Sequence, residues 1–478
     1  MSIRRRTKII ATVGPAISNY EKIAELIETG VDVFRLNFSH GSHEEHKKSL
    51  DLIRQVSRDL NKYVGVLQDL SGPKIRITQI EENLPPLVKG DLIEIKNDAK
   101  LISSNKILYT GSIDPSKFLK SGDSVLLADG IMELTTKQVN PDSCLCEVKK
   151  GGVLRSKIGL AFPNSKINLP ATTEKDLVDF EWGLENNIDF FAVSFVQTAE
   201  DVINLRNIAK KKNIDPFIIA KIEMNTALQN IDEILNVSDS LMVARGDLGV
   251  ELPVEKLPAI QRDLISRSNA IGKPVIVATQ MLHSMVNSNR PTRAEVTDIA
   301  TAVRSGADCV MLSEETAIGA FPQESVEYLA KIAHEAEKDF DFEVFKLRFK
   351  DNPTEFSIPN AIAYAACAAA HNLNATAIIA CTETGFSARL IAKFRPKQAL
   401  FGISRNISSL RRMCLFWGVK PVMAEIREDD TEVSAALRLV KNLENHSADE
   451  IAVTTGGLKM HAPGSSSVVD IRAFGSLE

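Results

Sequence analysis

A chain of 478 residues, 44% hydrophobic and 25% charged, is too long for one core and implies two or three domains of ordinary globular composition. Its formal net charge of −5 excludes a protein that coats nucleic acid through bulk positive charge, and no apolar run reaches the length of a membrane span. Six cysteines in so long a chain read as free thiols of a reducing compartment. Cys144 and Cys146 lack a second pair at zinc spacing, and Cys309, Cys367 and Cys381 sit in apolar runs and read as core. The start, Met-Ser-Ile-Arg-Arg-Arg, runs into a strand without the apolar core of a signal peptide, so the expected location is cytoplasmic, or an organelle after processing.

The first apolar run is Lys8–Gly14. A helical segment follows at Tyr20–Thr29, with Ile23, Leu26 and Ile27 on one face, Ser18 and Glu21 as a capping box, and Gly30 as a stop. The second and third strands are Val31–Ser39 and Val64–Leu70. In the second, Val33, Arg35, Asn37 and Ser39 share one face, and Phe34, Leu36 and Phe38 the other. An arginine beside an amide and a hydroxyl suits a phosphate or carboxylate, and it equally suits a core ion pair. His40, His43 and His46 begin a charge-rich helical run and read as solvated. Asp69 ends the third strand, and Lys74 and Arg76 follow on a Gly-Pro turn.

From Pro73 to Pro170 the chain changes character. Short β-like runs, Asp91–Lys96 and Ser124–Asp129, alternate with Gly-Asp, Asp-Gly and Gly-Gly turn signals, which implies a small all-β domain placed to act as a lid. Alternation then resumes with Asp189–Phe195, the helical Ala199–Lys212, Phe217–Glu223, Leu241–Asp247, Pro274–Gln280 and Cys309–Glu315. Eight strand–helix alternations specify a parallel (β/α)8 barrel, with polar residues at the carboxyl ends of nearly every strand.

The ends of the fifth and sixth strands are the most informative. A buried strand does not tolerate charge at its tip unless something binds there. Lys221 and Glu223 point the same way and Asp247 ends the next strand, an arrangement suited to a metal and an anion together. Carboxylates without histidine or cysteine indicate magnesium or manganese. A plain Lys221–Glu223 ion pair leaves Asp247 unexplained. Thr279 adds a hydroxyl at another strand end. A polar stretch, Phe340–Ile358, precedes a further α/β domain with a helix at Ala361–Ala370, strands at Ala377–Ala380, Leu400–Ile403 and Glu450–Thr454, and a helix at Ser387–Phe394. The expected divisions are residues 1–72 and 171–345 for the barrel, 73–170 for the insertion and 355–478 for the last domain.

Six ordered motifs carry a resemblance over essentially the whole chain: Arg35-Leu-Asn-Phe-Ser-His40, Asp69-Leu-Ser-Gly-Pro-Lys-Ile-Arg76, Lys221-Ile-Glu223, Ala244-Arg-Gly-Asp-Leu-Gly249, Ala278-Thr-Gln-Met281 and Asn289-Arg-Pro-Thr-Arg-Ala-Glu-Val-Thr-Asp298. Together they resemble the pyruvate kinase family. The resemblance implies a TIM barrel, an inserted small β barrel and a C-terminal α/β regulatory domain, assembled as a homotetramer. It implies magnesium-dependent transfer of phosphate from phosphoenolpyruvate to ADP, giving pyruvate and ATP, with manganese able to substitute. Arg35 would grip the substrate phosphate, Glu223 and Asp247 would hold the divalent ion, and Lys221 would face the phosphoryl group. Gly246, Asp247 and Thr279 would hold the carboxylate, with Thr279 also helping to protonate the enolate. Asn37, His40, Arg76 and Lys157 would meet the nucleotide, with Lys166 a rival to Lys157.

Asn37, Ser39, Asp69 and the Leu70 carbonyl match the family's potassium position. Lys74 stands where many members have glutamate, which implies activity without potassium. Thr382, Thr384 and Ser387, with Gly464, Ser465 and Ser466, resemble an effector loop for a phosphate. Glu383 replaces a lysine common in members activated by fructose bisphosphate and so favours a monophosphate, with a plain helix cap as the alternative reading. Two rival functions, a magnesium-dependent carbon–carbon lyase and a non-catalytic sugar-phosphate sensor, both predict no ADP-dependent pyruvate.

Overall fold

The computed structural model describes residues 5–128, 130–163, 165, 170–340, 357–424, 432–456 and 468–477. Strands β1 (Lys8–Thr12), β2 (Val33–Asn37) and β3 (Gly65–Asp69) lead into an insertion. It contains β4 (Leu92–Asn97), β5 (Ile107–Thr110), β6 (Ser124–Leu127), β7 (Met132–Asn140), β8 (Ser143–Lys150) and β9 (Leu160–Ala161). The barrel resumes with β10 (Phe190–Val193), β11 (Ile218–Ile222), β12 (Ser240–Ala244), β13 (Val275–Ala278) and β14 (Cys309–Leu312). These eight parallel strands close in the ring order β1-β2-β3-β10-β11-β12-β13-β14. Alternation sorts the side chains: Phe34, Leu36 and Phe38 pack outward under the helices, whereas Val33, Leu67, Ala192 and Ile219 fill the interior. Along the first helix, Gly30 ends the run as expected, but Asn19 rather than Ser18 is the cap, its side chain accepting from Lys22 N at 2.9 Å.

A repeated device closes the floor of the barrel. Asp32, Asp189, Asp239 and Asp308 each immediately precede an even-numbered strand of the ring. Each carboxylate accepts the N–H of a residue on the strand before it, from Ile9 at 2.8 Å, Val66 at 2.7 Å, Ile218 at 2.8 Å and Val275 at 2.9 Å. Each is also paired with an arginine: Arg5, Arg54, Arg206 and Arg395 respectively. Strand-edge donors that would otherwise be orphaned are thereby satisfied. At Asp32, burial pushes the carboxyl pKa up, but Arg5 and Lys8 outweigh it and leave the group below its ordinary value.

The insertion is a six-stranded sheet, ordered β5-β4-β8-β7-β6-β9. The segment entering it ties both edges together: Arg76 bridges Gly159 beside β9, and Ile77 bridges Thr110 in β5. Cys144 and Cys146 lie fully buried on β8, and burial pushes their thiols to about 12 and about 11, so they are inert core residues. The chain enters and leaves the insertion at one point, where Gly72 N donates to Asp176 Oδ1 at 3.1 Å. Gly72 has φ +67, and a Cβ there would lie 2.8 Å from Ser194 Cβ and 2.6 Å from the Phe195 ring.

The last domain is a five-stranded sheet ordered β17 (Val419–Met423), β16 (Ala399–Ser404), β15 (Ala377–Cys381), β18 (Ile451–Gly456) and β19 (Val468–Ala473), with β19 antiparallel. Its Leu390, Leu410 and Met413 share one buried cluster with the barrel's Ile10, Leu67 and Met242. Among the described residues no helix is long and apolar enough to cross a membrane.

Candidate active site

The inward-facing positions at the top of β2, β3, β10 and β11 are charged or polar where the layer below is apolar. Arg35 donates through Nε to Asp69 Oδ2 at 2.7 Å and through Nη1 to Thr12 Oγ1 at 3.1 Å. Lys221 Nζ lies 3.1 Å from Asp69 Oδ1 and 2.9 Å from Glu223 Oε1, and it donates to Ser194 Oγ at 2.6 Å. Glu223 Oε2 accepts from Phe195 N at 2.8 Å. Two cations and two carboxylates are thus interlocked, with both Asp69 and Glu223 1% exposed.

The electrostatics follow from burial and proximity. Burial opposes the Lys221 ammonium, but Asp69 and Glu223 outweigh it and raise its pKa above the ordinary value. Burial raises Asp69 too, yet Lys221 and Arg35 prevail and hold it low. For Glu223 burial dominates, and its carboxyl is raised.

On the neighbouring strand end, Arg245–Glu251 begins a short helix directly after β12. Asp247 Oδ1 is 3.2 Å from Lys74 Nζ, which reaches over from the turn after β3. Thr279 Oγ1 accepts from Gly246 N at 2.8 Å and donates to Ala278 O at 2.6 Å. Thr279 and Gln280 both hold positive φ, 68° and 55°, a strained pair that Arg245 pins by donating to Thr279 O at 2.7 Å. Glu223, Asp247, Lys74 and Glu251 line one cleft of about 710 Å³, counted to its open mouth, walled on its far side by Leu160 and Phe162 of the insertion. Burial, then Asp247, pushes Glu251 up to about 7.

The remaining expected residues lie further out. Asn37 Oδ1 accepts from Ser39 N at 3.2 Å, and Ser39 and His40 are exposed. The Leu70 carbonyl accepts from Ser194 Oγ at 2.7 Å. Lys74 meets Asp247, while the oxygens of Asp69 meet Arg35 and Lys221. Arg76 and Lys157 are both exposed on the insertion, where Arg76 Nη1 donates to the Lys157 carbonyl at 3.2 Å. Lys166 lies outside the described residues, as do Gly464, Ser465 and Ser466. Thr382 Oγ1 accepts from Gly385 N at 3.1 Å, ahead of the Phe386–Lys393 helix that carries Ser387, and Thr384 is exposed between them.

Sequence reasoning missed Ser194, which continues the inward face of Phe190 and Ala192 and was findable by counting in twos. It also missed Lys175, whose Nζ donates to the Phe38 carbonyl at 2.8 Å, directly beside the Asn37–His40 segment. Glu251 lay one helical turn beyond Asp247, where only the fold shows that it faces the cleft.

Comparison with known proteins gives a consistent result. A family model described as the pyruvate kinase barrel domain matches residues 4–326, and one for the pyruvate kinase alpha/beta domain matches residues 360–472. Pyruvate kinase of Staphylococcus epidermidis is 40% identical, covering 98% of this chain and 81% of its own, and that of Staphylococcus aureus is 38% identical with the same coverage. A crystal structure of a pyruvate kinase from Cryptosporidium parvum superposes with a TM-score of 0.93 at 37% identity, covering 98% of this chain and 96% of the other.

Proposed function

The chain belongs to the pyruvate kinase family and is an enzyme that transfers phosphate, and from that premise we propose how its own residues move a phosphoryl group from phosphoenolpyruvate to ADP. The observation that carries this reading is Lys221, held among Ser194, Asp69 and Glu223 beneath the cleft that Asp247 lines. The P–O bond to the enolate oxygen breaks, a new one forms to the terminal phosphate of ADP, and a proton adds to the methylene carbon to complete pyruvate.

In this reading Arg35 anchors the substrate phosphate with two parallel hydrogen bonds, its orientation fixed by Asp69 and Thr12. Lys221 neutralises charge on the phosphoryl group in flight, a transition state governed mainly by electrostatics. The backbone N–H groups of Gly246 and Asp247 and the Thr279 hydroxyl receive the carboxylate, which displaces the bond that Gly246 N otherwise makes to Thr279 Oγ1. Thr279 also relays the proton toward the enolate carbon. Asn37, His40 and Arg76 meet the nucleotide, joined by a lysine among Lys157, Lys166 and Lys175.

Glu223 and Asp247 fit a divalent ion of the magnesium type. Both are hard oxygen donors, the donor type such an ion takes, and both line the same cleft. Bound there, magnesium or manganese supplies Lewis-acid neutralisation of phosphate and enolate oxygens. Lys74 brings a fixed ammonium to the same cleft, and we infer that the enzyme runs without potassium bound at Asn37, Ser39, Asp69 and Leu70. Equal rates in potassium and in tetramethylammonium support this, and a large drop restored by potassium refutes it.

Thr382, Thr384 and Ser387, together with Gly464, Ser465 and Ser466, form the proposed seat of an activating phosphomonoester. Micromolar activation by fructose 1,6-bisphosphate would overturn that assignment. A cytoplasmic homotetramer completes the proposal. A coupled assay for ADP-dependent pyruvate tests the whole reading, and its failure with active control enzyme present rejects it.

A further inference from the structure

Beneath the barrel floor, the Phe386–Lys393 helix of the last domain packs against the Asn269–Pro274 turn and lines a small, partly open pocket with room, about 10 Å³, for the centre of one water-sized guest. Lys273, Arg389, Lys393 and Arg395 line it, and Asp308 is the one acidic residue among its walls. Asp308 is already committed, Oδ1 to Arg395 Nη1 at 2.6 Å and Oδ2 to Val275 N at 2.9 Å. Arg389 differs from its neighbours. Its Nε is sealed from solvent with no acceptor among the described residues, and its guanidinium lies 5.3 Å from the Phe386 ring centroid. Burial pushes its pKa down, opposed only by Asp239, whose Oδ2 is held by Arg206 and Ile218 N.

A guanidinium N–H sealed from water without an acceptor is costly, and a native fold is expected to supply one. The sign of the lining excludes a cation. The volume admits about one water-sized guest, which excludes phosphate or a carboxylate metabolite. We propose that this seam binds a single monatomic anion of the chloride class on Arg389, completing the charge balance of the contact between the barrel and the C-terminal sheet. The site is separate from the barrel mouth, and Arg389 shares its helix with Ser387 of the effector loop.

Thermal unfolding of the full-length protein in chloride and in gluconate, at matched ionic strength, tests it. A midpoint about 2–4 °C higher in chloride is expected, from mass action on a native-state ion. Arg389→Met should lose that difference while keeping ADP-dependent activity. Crystals of the parent protein grown in bromide should show an anomalous peak within hydrogen-bonding reach of Arg389, a readout that needs no variant to fold. Equal midpoints in the two salts, a salt difference that survives in Arg389→Met, or ordinary water in the bromide map would each overturn the proposal.

Discussion

At the floor of the barrel four aspartates each hold a neighbouring strand's N–H and an arginine, a closed arrangement of carboxylate, backbone and guanidinium. At the mouth, Asp69, Glu223, Arg35 and Lys221 are paired just as densely, yet their network opens on a cleft with Asp247, Lys74 and Glu251 on its wall. The same side chains at opposite ends of the same strands therefore serve different ends. A buried ion pair adds little net stability, but losing one partner is expensive. The floor pairs, each tied to an N–H of the strand alongside, hold that strand in register, whereas pairs facing a cleft present their charge to whatever enters.

Separating rate from stability is the way to break this comparison. The largest expected effect is on rate. Lys221→Met should lower ADP-dependent pyruvate formation by at least about 10³-fold, as for loss of a preorganised transition-state charge, measured in a coupled steady-state assay. If activity survives, the mouth is no more chemical than the floor. Arg54→Met should do the reverse. It strands Asp189 and should cost about 3–5 kcal/mol of stability in urea unfolding, while the folded enzyme keeps its kcat.

Glu251 sharpens the contrast through pH. Its pKa rises from 4.5 to about 7 on folding, so the native state holds more protons across that window and stability falls as pH rises through it. Glu251→Gln in metal-free buffer should remove that fall, leaving the variant more stable above about pH 7 by an amount of order 1 kcal/mol after solvent screening. Denaturant midpoints across the range decide it, and parallel pH curves for the two proteins would refute it. The smallest effect belongs to Gln280→Gly, which should relieve the strained φ and raise stability by up to about 1 kcal/mol, read as a small upward shift in Tm.

Much of this was visible in the chain because barrel strands are buried on both faces and read as continuous apolar runs. The Arg35–Ser39 alternation and the Lys221–Glu223 spacing needed nothing but the period of a strand. The floor aspartates stand in plain view before Val33, Phe190, Ser240 and Cys309, but their purpose depends on which strand lies alongside, and that is a matter of register. Strand β17 escaped notice because Pro421 demotes such a run by rule, and its position at the sheet edge is what makes the proline tolerable. Strand β19 carries Asp470 and Arg472 on an antiparallel edge and offers no apolar run. The tip of Lys74 meets a partner 173 positions away, a distance that local pattern does not bridge.

Gly72 carries one more consequence. The point where the chain crosses into the insertion is hydrogen-bonded to the point where it returns, and Gly72 itself abuts Ser194 and Phe195, which hold Lys221 and Glu223. Any swing of the insertion about that joint is geared to the ammonium and the acid below it. Displacing the insertion and disturbing the charges at the barrel mouth would then be one movement on a common axle.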